Sequence, residues 1–222
     1  MDLDHQRQLR GAELQAALPN FPASGRVLEI GAGAGWQAAL LAQQGFSVEA
    51  IEVAGTAFQE LAEGRVWPIV EYDGQTIPYE DRSFDVVFSS NVLEHVPHVE
   101  RLLDEVGRVL QDQGVCIHVL PTPTWRAWTN LTHYGFTARR HLARLAAGIP
   151  SAGAGHRAPV GTISGRVMPR CSKPWPRRVA ENVFPPRHGH SGNALSECYR
   201  FSRFYWTRCL RRTGWQVHQV YP

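Results

Sequence analysis

The sequence predicts an α/β domain: a doubly wound, mostly parallel sheet with helices on both faces and a long insertion after the fifth strand. Three observations carry this expectation. Strand-like and helix-like periods alternate from residue 26 to residue 120. A glycine-rich turn, Gly31-Ala32-Gly33-Ala34-Gly35, joins the first strand signal to a helix signal. The segment 84–90 (FDVVFSS) is a continuous apolar run, as expected of a parallel strand covered on both faces.

Each element follows in order. Residues 4–18 place Leu9, Ala12, Ala16 and Ala17 at helical spacing, and Pro19 ends that helix. Residues 26–30 (RVLEI) form the first strand and 36–45 a helix with Gly45 as its C-cap. Residues 47–53 are a strand and 54–63 a helix. Residues 66–70 read as a strand despite Pro68, which places it at an edge or bulge. After the strand at 84–90, residues 99–110 are amphipathic, with Leu102, Leu103, Val106, Val109 and Leu110 on one side. Residues 114–120 (GVCIHVL) form the fifth strand. The rhythm then breaks. Residues 121–149 are aromatic and basic and partly helical, and 150–192 form a long loop rich in Pro, Gly and Arg. Residues 197–212 read as a helix and 215–221 (WQVHQVY) as a sixth strand. The expected organisation is one domain over residues 1–222: an N-terminal helix (1–24), a core (25–122), an insertion (123–195), and a C-terminal helix and strand (196–222). A seventh strand is absent, or lost by truncation, or replaced by another segment at that sheet edge.

Composition narrows the class. At 43% hydrophobic residues the chain is globular. No apolar run approaches the roughly 20 residues that span a bilayer, and the polar start MDLDHQRQLR is no signal peptide. The four cysteines show no metal-ligand or CxxC spacing, so they read as free thiols and the localisation as cytoplasmic. The net charge of +3 hides an asymmetry. Residues 1–120 hold 7 Arg against 18 acids, whereas residues 121–222 hold 16 Lys+Arg against 2 acids. The basic half suits an anionic partner, or folds back onto the acidic half.

The glycine turn points to a bound cofactor. Gly31, Gly33 and Gly35 let the backbone turn sharply and approach a ligand, with helix N–H groups just beyond. About 20 residues on, Glu52 ends the second strand, where an acid accepts hydrogen bonds from ribose hydroxyls. A dinucleotide fingerprint wants glycine at position 36, which is Trp36. Glu29, two residues before the first glycine, is awkward beside a pyrophosphate and suits a cofactor with a positive amino-acid end. The plainer readings are tight strand–helix packing for the glycines and capping or surface ion pairs for the acids.

Four ordered motifs (VLEIGAGAG; the acid of AIEV; Tyr72-Asp73-Gly74 followed by IPYEDRSFDVVF; SSNVLEHV) resemble the class I S-adenosylmethionine-dependent methyltransferases. Within these, the chain is most similar to the small-substrate, type 11 and ubiquinone-biosynthesis-like group. The resemblance covers residues 25–122 strongly and 195–221 weakly. It implies a Rossmann-like fold, S-adenosylmethionine as cofactor, an adenine contact at Asp73 beside Gly74, and Asn91 near the methionine part. Asp73 is also a turn-former and Asn91 a helix N-cap by residue type. His95 sits where the family carries a histidine across many substrates, which favours a structural role there over a base.

The insertion is expected to meet the methyl acceptor. Between residues 121 and 190 there are 11 cations against the single acid Glu181, interleaved with tryptophans. The segment 185–193 (PPRHGHSGN) places two imidazoles and an arginine on rigid turns. His188, then His95, are the candidate bases for O-methylation of a small-molecule or glycan or lipid-linked acceptor. No metal is expected: His188 and His190 lack an acid or cysteine to complete a set. Trp125 and Trp128, followed by Arg139, Arg140 and Arg144, fit either an interfacial helix at an anionic membrane or a core-packed one. A nucleic-acid substrate is disfavoured, because no [DNS]PP[YFW] segment follows the fourth strand. A non-catalytic binding module is a third reading. The oligomeric state is not legible.

Overall fold

The computed structural model describes residues 3–55, 64–146 and 187–221. The expected helix at 54–63 and most of the insertion lie outside the described residues. The elements are α1 (Leu3–Ala17), β1 (Arg26–Ile30), α2 (Trp36–Gln43), β2 (Ser47–Val53), β3 (Val70–Tyr72), β4 (Phe84–Ser90), α3 (Val99–Val109), β5 (Leu110–Val119), α4 (Pro123–Ala146), α5 (Ser196–Arg200) and α6 (Arg203–Arg212). Short 3₁₀ turns occupy Leu18–Asn20 and Leu93–His95.

All five strands are parallel, in the order β3-β2-β1-β4-β5. Side chains alternate across each strand, so β1 feeds two cores. Leu28 and Ile30 join Val87 and the apolar stripe of α3 (Val99, Leu102, Leu103, Val106, Val109), capped by Trp206 of α6. Val27 joins Val86, Phe88, Leu14 of α1 and Leu41 of α2 on the opposite face. Helices therefore cover both faces, and the order in which successive strands are added reverses between β1 and β4. Ligands of such sheets bind outside the strand C-termini at that switch point.

Four expected boundaries are corrected. The third strand begins at Val70, not Val66. Pro68 has no N–H for a ladder, and pairing starts only at Ile51 with Val70. The helix before β5 stops at Val109, and Leu110 already pairs with Phe84. The next ladder partner of β4 is Val115, so residues 111–114 bulge out of register. The C-terminal helix is two helices, because Ser202 turns extended and accepts the N–H of Tyr205 as an N-cap. Residues 215–221 form no strand. Trp215 packs on the α3 core and the Tyr221 hydroxyl donates to Asn20 Oδ1 at 3.0 Å, but no ladder forms. An alternating pattern half-buries a segment without supplying a partner strand.

Candidate active site at the carboxyl edge of the sheet

The glycine loop leaves β1 at the switch point. The N–H groups of Gly31 and Ala32 donate to Ile51 O at 2.8 and 3.1 Å, tying the loop to β2. Gly31 has φ +73°, and a Cβ there would lie 2.4 Å from Val92 Cγ2. Gly35 has φ +81°, and its Cβ would lie 2.5 Å from Trp67 Cβ. Both positions therefore need glycine twice over, for conformation and for space. Gly74 also has a left-handed φ, in the turn after β3.

Two acids flank this loop in contrasting ways. Glu52 is buried at the end of β2. Its Oε2 accepts from Gly33 N at 2.8 Å and its Oε1 from Val53 N at 3.0 Å. Glu29 is 2% exposed on the α1/α2 face of β1. Burial drives its pKa up to about 8, and a backbone hydrogen bond at Ala38 and the charge of Arg10 offset this only partly. Its Oε2 has no hydrogen-bond partner among the described residues.

Asp73 lies at the right sheet edge but is exposed. Its Oδ1 accepts from Gln75 N and Thr76 N at 2.7 and 2.8 Å, and these bonds hold its pKa below the usual carboxylate range. Asn91, just past β4, has φ +54°, in the left-handed region that asparagine adopts more readily than most non-glycine residues. Its Nδ2 donates to Glu13 Oε1 at 3.0 Å, while Glu13 Oε2 accepts from Ser90 Oγ and Arg10. Thus α1 reaches the site through Arg10 and Glu13, which sequence reasoning missed. In a polar helix they look like any i, i+3 pair.

The candidate bases are brought together. His95 and His188, distant in sequence, have ring centroids 5.0 Å apart. Between them Glu94 is buried, and each Nε2 lies 3.8 Å from its Oε1. Neither Glu94 oxygen has a hydrogen-bond partner among the described residues. Burial lowers the pKa of His95, and the charge of Glu94 opposes this. Trp125 of α4 meets the His188 ring edge-on at 4.8 Å.

The His188 turn is built from below. The N–H groups of His188 and Gly189 both donate to Glu197 Oε1 at 2.8 Å, and His190 N donates to Glu94 O at 2.8 Å. Glu197 of α5 is itself paired with Arg126 of α4 at 2.7 Å, both side chains being almost fully buried. Glu94, Glu197 and Arg126 were also not singled out from the sequence. Glu94 completes with His95 and His188 the acid-and-imidazole set that chain order had hidden, whereas His190 contributes its backbone N–H.

A family model described as a methyltransferase domain matches residues 3–220. The chain belongs to the methyltransferase-domain family. An uncharacterized methyltransferase of Mycobacterium sp. (strain JLS) is 37% identical over 131 residues, covering 54% of this chain and 49% of that protein. The biotin biosynthesis bifunctional protein BioHC of Cellvibrio japonicus is 33% identical over 133 residues, covering 56% of this chain and 26% of that protein. A solved S-adenosylmethionine-dependent methyltransferase from Mesorhizobium loti aligns at 25% identity with a TM-score of 0.44, covering 50% of this chain and 55% of that one. The matched region thus spans about half or less of these relatives.

S-adenosylmethionine is the cofactor that this methyltransferase family and fold imply. The residues fit it. The orphaned, buried Glu29 oxygen suits a donor such as an ammonium, and Glu52 suits ribose hydroxyls; the crowding at Gly31 and Gly35 comes from Val92 and Trp67 and reflects packing of the loop. Among the described residues no helix is long and apolar enough to cross a membrane.

Proposed function

We propose that this methyltransferase methylates a hydroxyl oxygen of a small-molecule, glycan or lipid-linked acceptor. The observation that carries the reading is the pair of imidazoles, His95 in the turn after β4 and His188, with ring centroids 5.0 Å apart. When bound, S-adenosylmethionine supplies an electrophilic methyl group on a sulfonium, which leaves as a neutral thioether. Glu29 and Glu52 would hold the cofactor's amino-acid and ribose ends, and Asp73, beside Gly74, its adenine. Asn91 would border the methionine part. A hydroxyl must lose its proton as its oxygen bonds to the methyl carbon, and His188, with His95 next to it, would receive that proton. General-base catalysis of this kind contributes about 10²–10⁴-fold in rate. His188→Ala is therefore expected to lower kcat on a hydroxyl acceptor by at least about 100-fold with the affinity for S-adenosylmethionine unchanged. Full turnover by this variant, or turnover of amines alone across a panel of sugar, quinone and amine acceptors, would refute the assignment.

A peripheral site at an anionic membrane is the partner reading that α4 supports. Trp128, Leu131, Phe136 and Leu142 are all more than 60% exposed on that helix. Arg203, Arg208, Arg211 and Arg212 line a cleft on α6. Arginines pair with phosphates bidentately and tryptophan settles at lipid interfaces. Co-sedimentation with phosphatidylglycerol vesicles is expected at low salt and should weaken at high salt. Absence of binding at low salt overturns it.

A further inference from the structure

We infer that Glu94, His95 and His188 form a binding site for a divalent transition-metal ion at the mouth of the active site. Two imidazoles and one carboxylate offer ligand atoms all within 4.8 Å of one another. The carboxylate is 1% exposed and both its oxygens lack hydrogen-bond partners among the described residues. A carboxylate so buried is costly unless it is paired or bound to a cation. The two imidazole Nε2 atoms lie 3.8 Å from Oε1, too far for hydrogen bonds. A cation held at about 2.0–2.2 Å from each ligand needs them roughly 3–3.5 Å apart, so the three groups must close by about an ångström. His95 and His188 are partly exposed, so closure on a cation would come from these two side chains rather than from the buried carboxylate.

The surroundings are those of a supported site. The backbone carrying His188 is fixed by two hydrogen bonds to Glu197 and one to Glu94, and Trp125 abuts its ring. Metal-ligating histidines are oriented by such outer contacts. Nitrogen donors disfavour Mg²⁺ and Ca²⁺, whereas two imidazoles with one carboxylate suit Zn²⁺, Mn²⁺, Fe²⁺ or Co²⁺ and leave further positions for solvent or acceptor.

Cation binding stands apart from the O-methylation reading, and its use on an acceptor rests on that reading. A cation here draws electron density from an acceptor hydroxyl and lowers its pKa. With the cation bound, His188 Nε2 is a ligand and the hydroxyl proton leaves to water; without it, His188 takes that proton as above. In both cases the acceptor oxygen bonds to the methyl carbon as the carbon–sulfur bond breaks with its electron pair going to sulfur.

The test begins with chelator-treated full-length protein titrated with Co²⁺, followed by visible absorption, and with Zn²⁺ and Mn²⁺ by calorimetry. One equivalent is expected to bind, with Co²⁺ bands of a nitrogen- and oxygen-ligated site. Loss of a direct ligand should exceed the roughly 10–100-fold cost of outer contacts, so His188→Ala is expected to weaken binding by more than about 100-fold. Glu94→Gln should do the same. Because Glu94 is buried, the exposed-side variants His95→Ala and His188→Ala, checked by far-UV circular dichroism, carry the conclusion. No binding of any of the three ions, or binding unchanged in both histidine variants, overturns the site. Full turnover of a hydroxyl acceptor by the chelated enzyme overturns its role in transfer. One-equivalent binding with no turnover of any hydroxyl acceptor sinks the O-methylation reading and leaves the cation site standing.

Discussion

Glu29→Gln separates what the fold requires from what the cofactor requires. Burial moves the Glu29 pKa from 4.5 to about 8. At about 1.36 kcal/mol per unit, that is roughly 5 kcal/mol against its ionised form. Because the folded pKa lies above the unfolded one, the folded protein holds the extra proton between those values. Stability from this group is therefore fully present below pH 4.5, falls as pH rises, and is lost once pH passes about 8. At pH 7 the deficit relative to a neutral isostere is about 3 kcal/mol. Glutamine keeps the shape and removes the titration. Urea unfolding at pH 4.5 and 8.5 is expected to show Glu29→Gln near parity with the parent at the lower pH and about 4–5 kcal/mol more stable at the higher. Calorimetry with S-adenosylmethionine should show the opposite sense. Loss of a charge-assisted hydrogen bond of about 1.5–3 kcal/mol weakens binding by roughly 10–100-fold. A variant less stable than the parent at pH 8.5, or one that binds the cofactor equally well, would refute the reasoning.

Two other perturbations probe the scaffold. Gly31→Ala adds left-handed strain of about 1–2 kcal/mol and a 2.4 Å approach to Val92, so an unfolding free energy about 2–4 kcal/mol lower is expected together with lost cofactor binding; parent-like stability would show that the loop adapts. Glu197→Gln removes the negative charge paired with the buried Arg126 and should cost about 3–5 kcal/mol, of which the double variant with Arg126→Met recovers a part. Strictly additive losses in that thermal or urea cycle would mean the pair is not coupled.

Much of this methyltransferase was legible along the chain. Three alternating glycines after RVLEI, an acid about 20 residues later, and the apolar run at β4 determine a parallel α/β sheet with a glycine loop at its carboxyl edge. These signals are local: each depends on periodicity or on a backbone conformation that few residues adopt. Asp73 was legible both as a contact and as a turn residue, and the turn is the role its Oδ1 fills in the structure. The alternating pattern of residues 215–221 was a local signal too, but a strand needs a partner, and β5 does not pair with this segment.

What the sequence by itself determined is therefore the class of fold, the family and the glycine loop at the carboxyl edge of the sheet. Only the tertiary structure decided which polar groups meet across it. Glu13 reaches Asn91 from α1, Arg126 reaches Glu197 from α4, and His188 reaches Glu94 across 94 positions of chain. The physical reason is that a buried charge is tolerable only where other elements deliver its partners, and sequence spacing carries no record of which distant loop closes on which strand end.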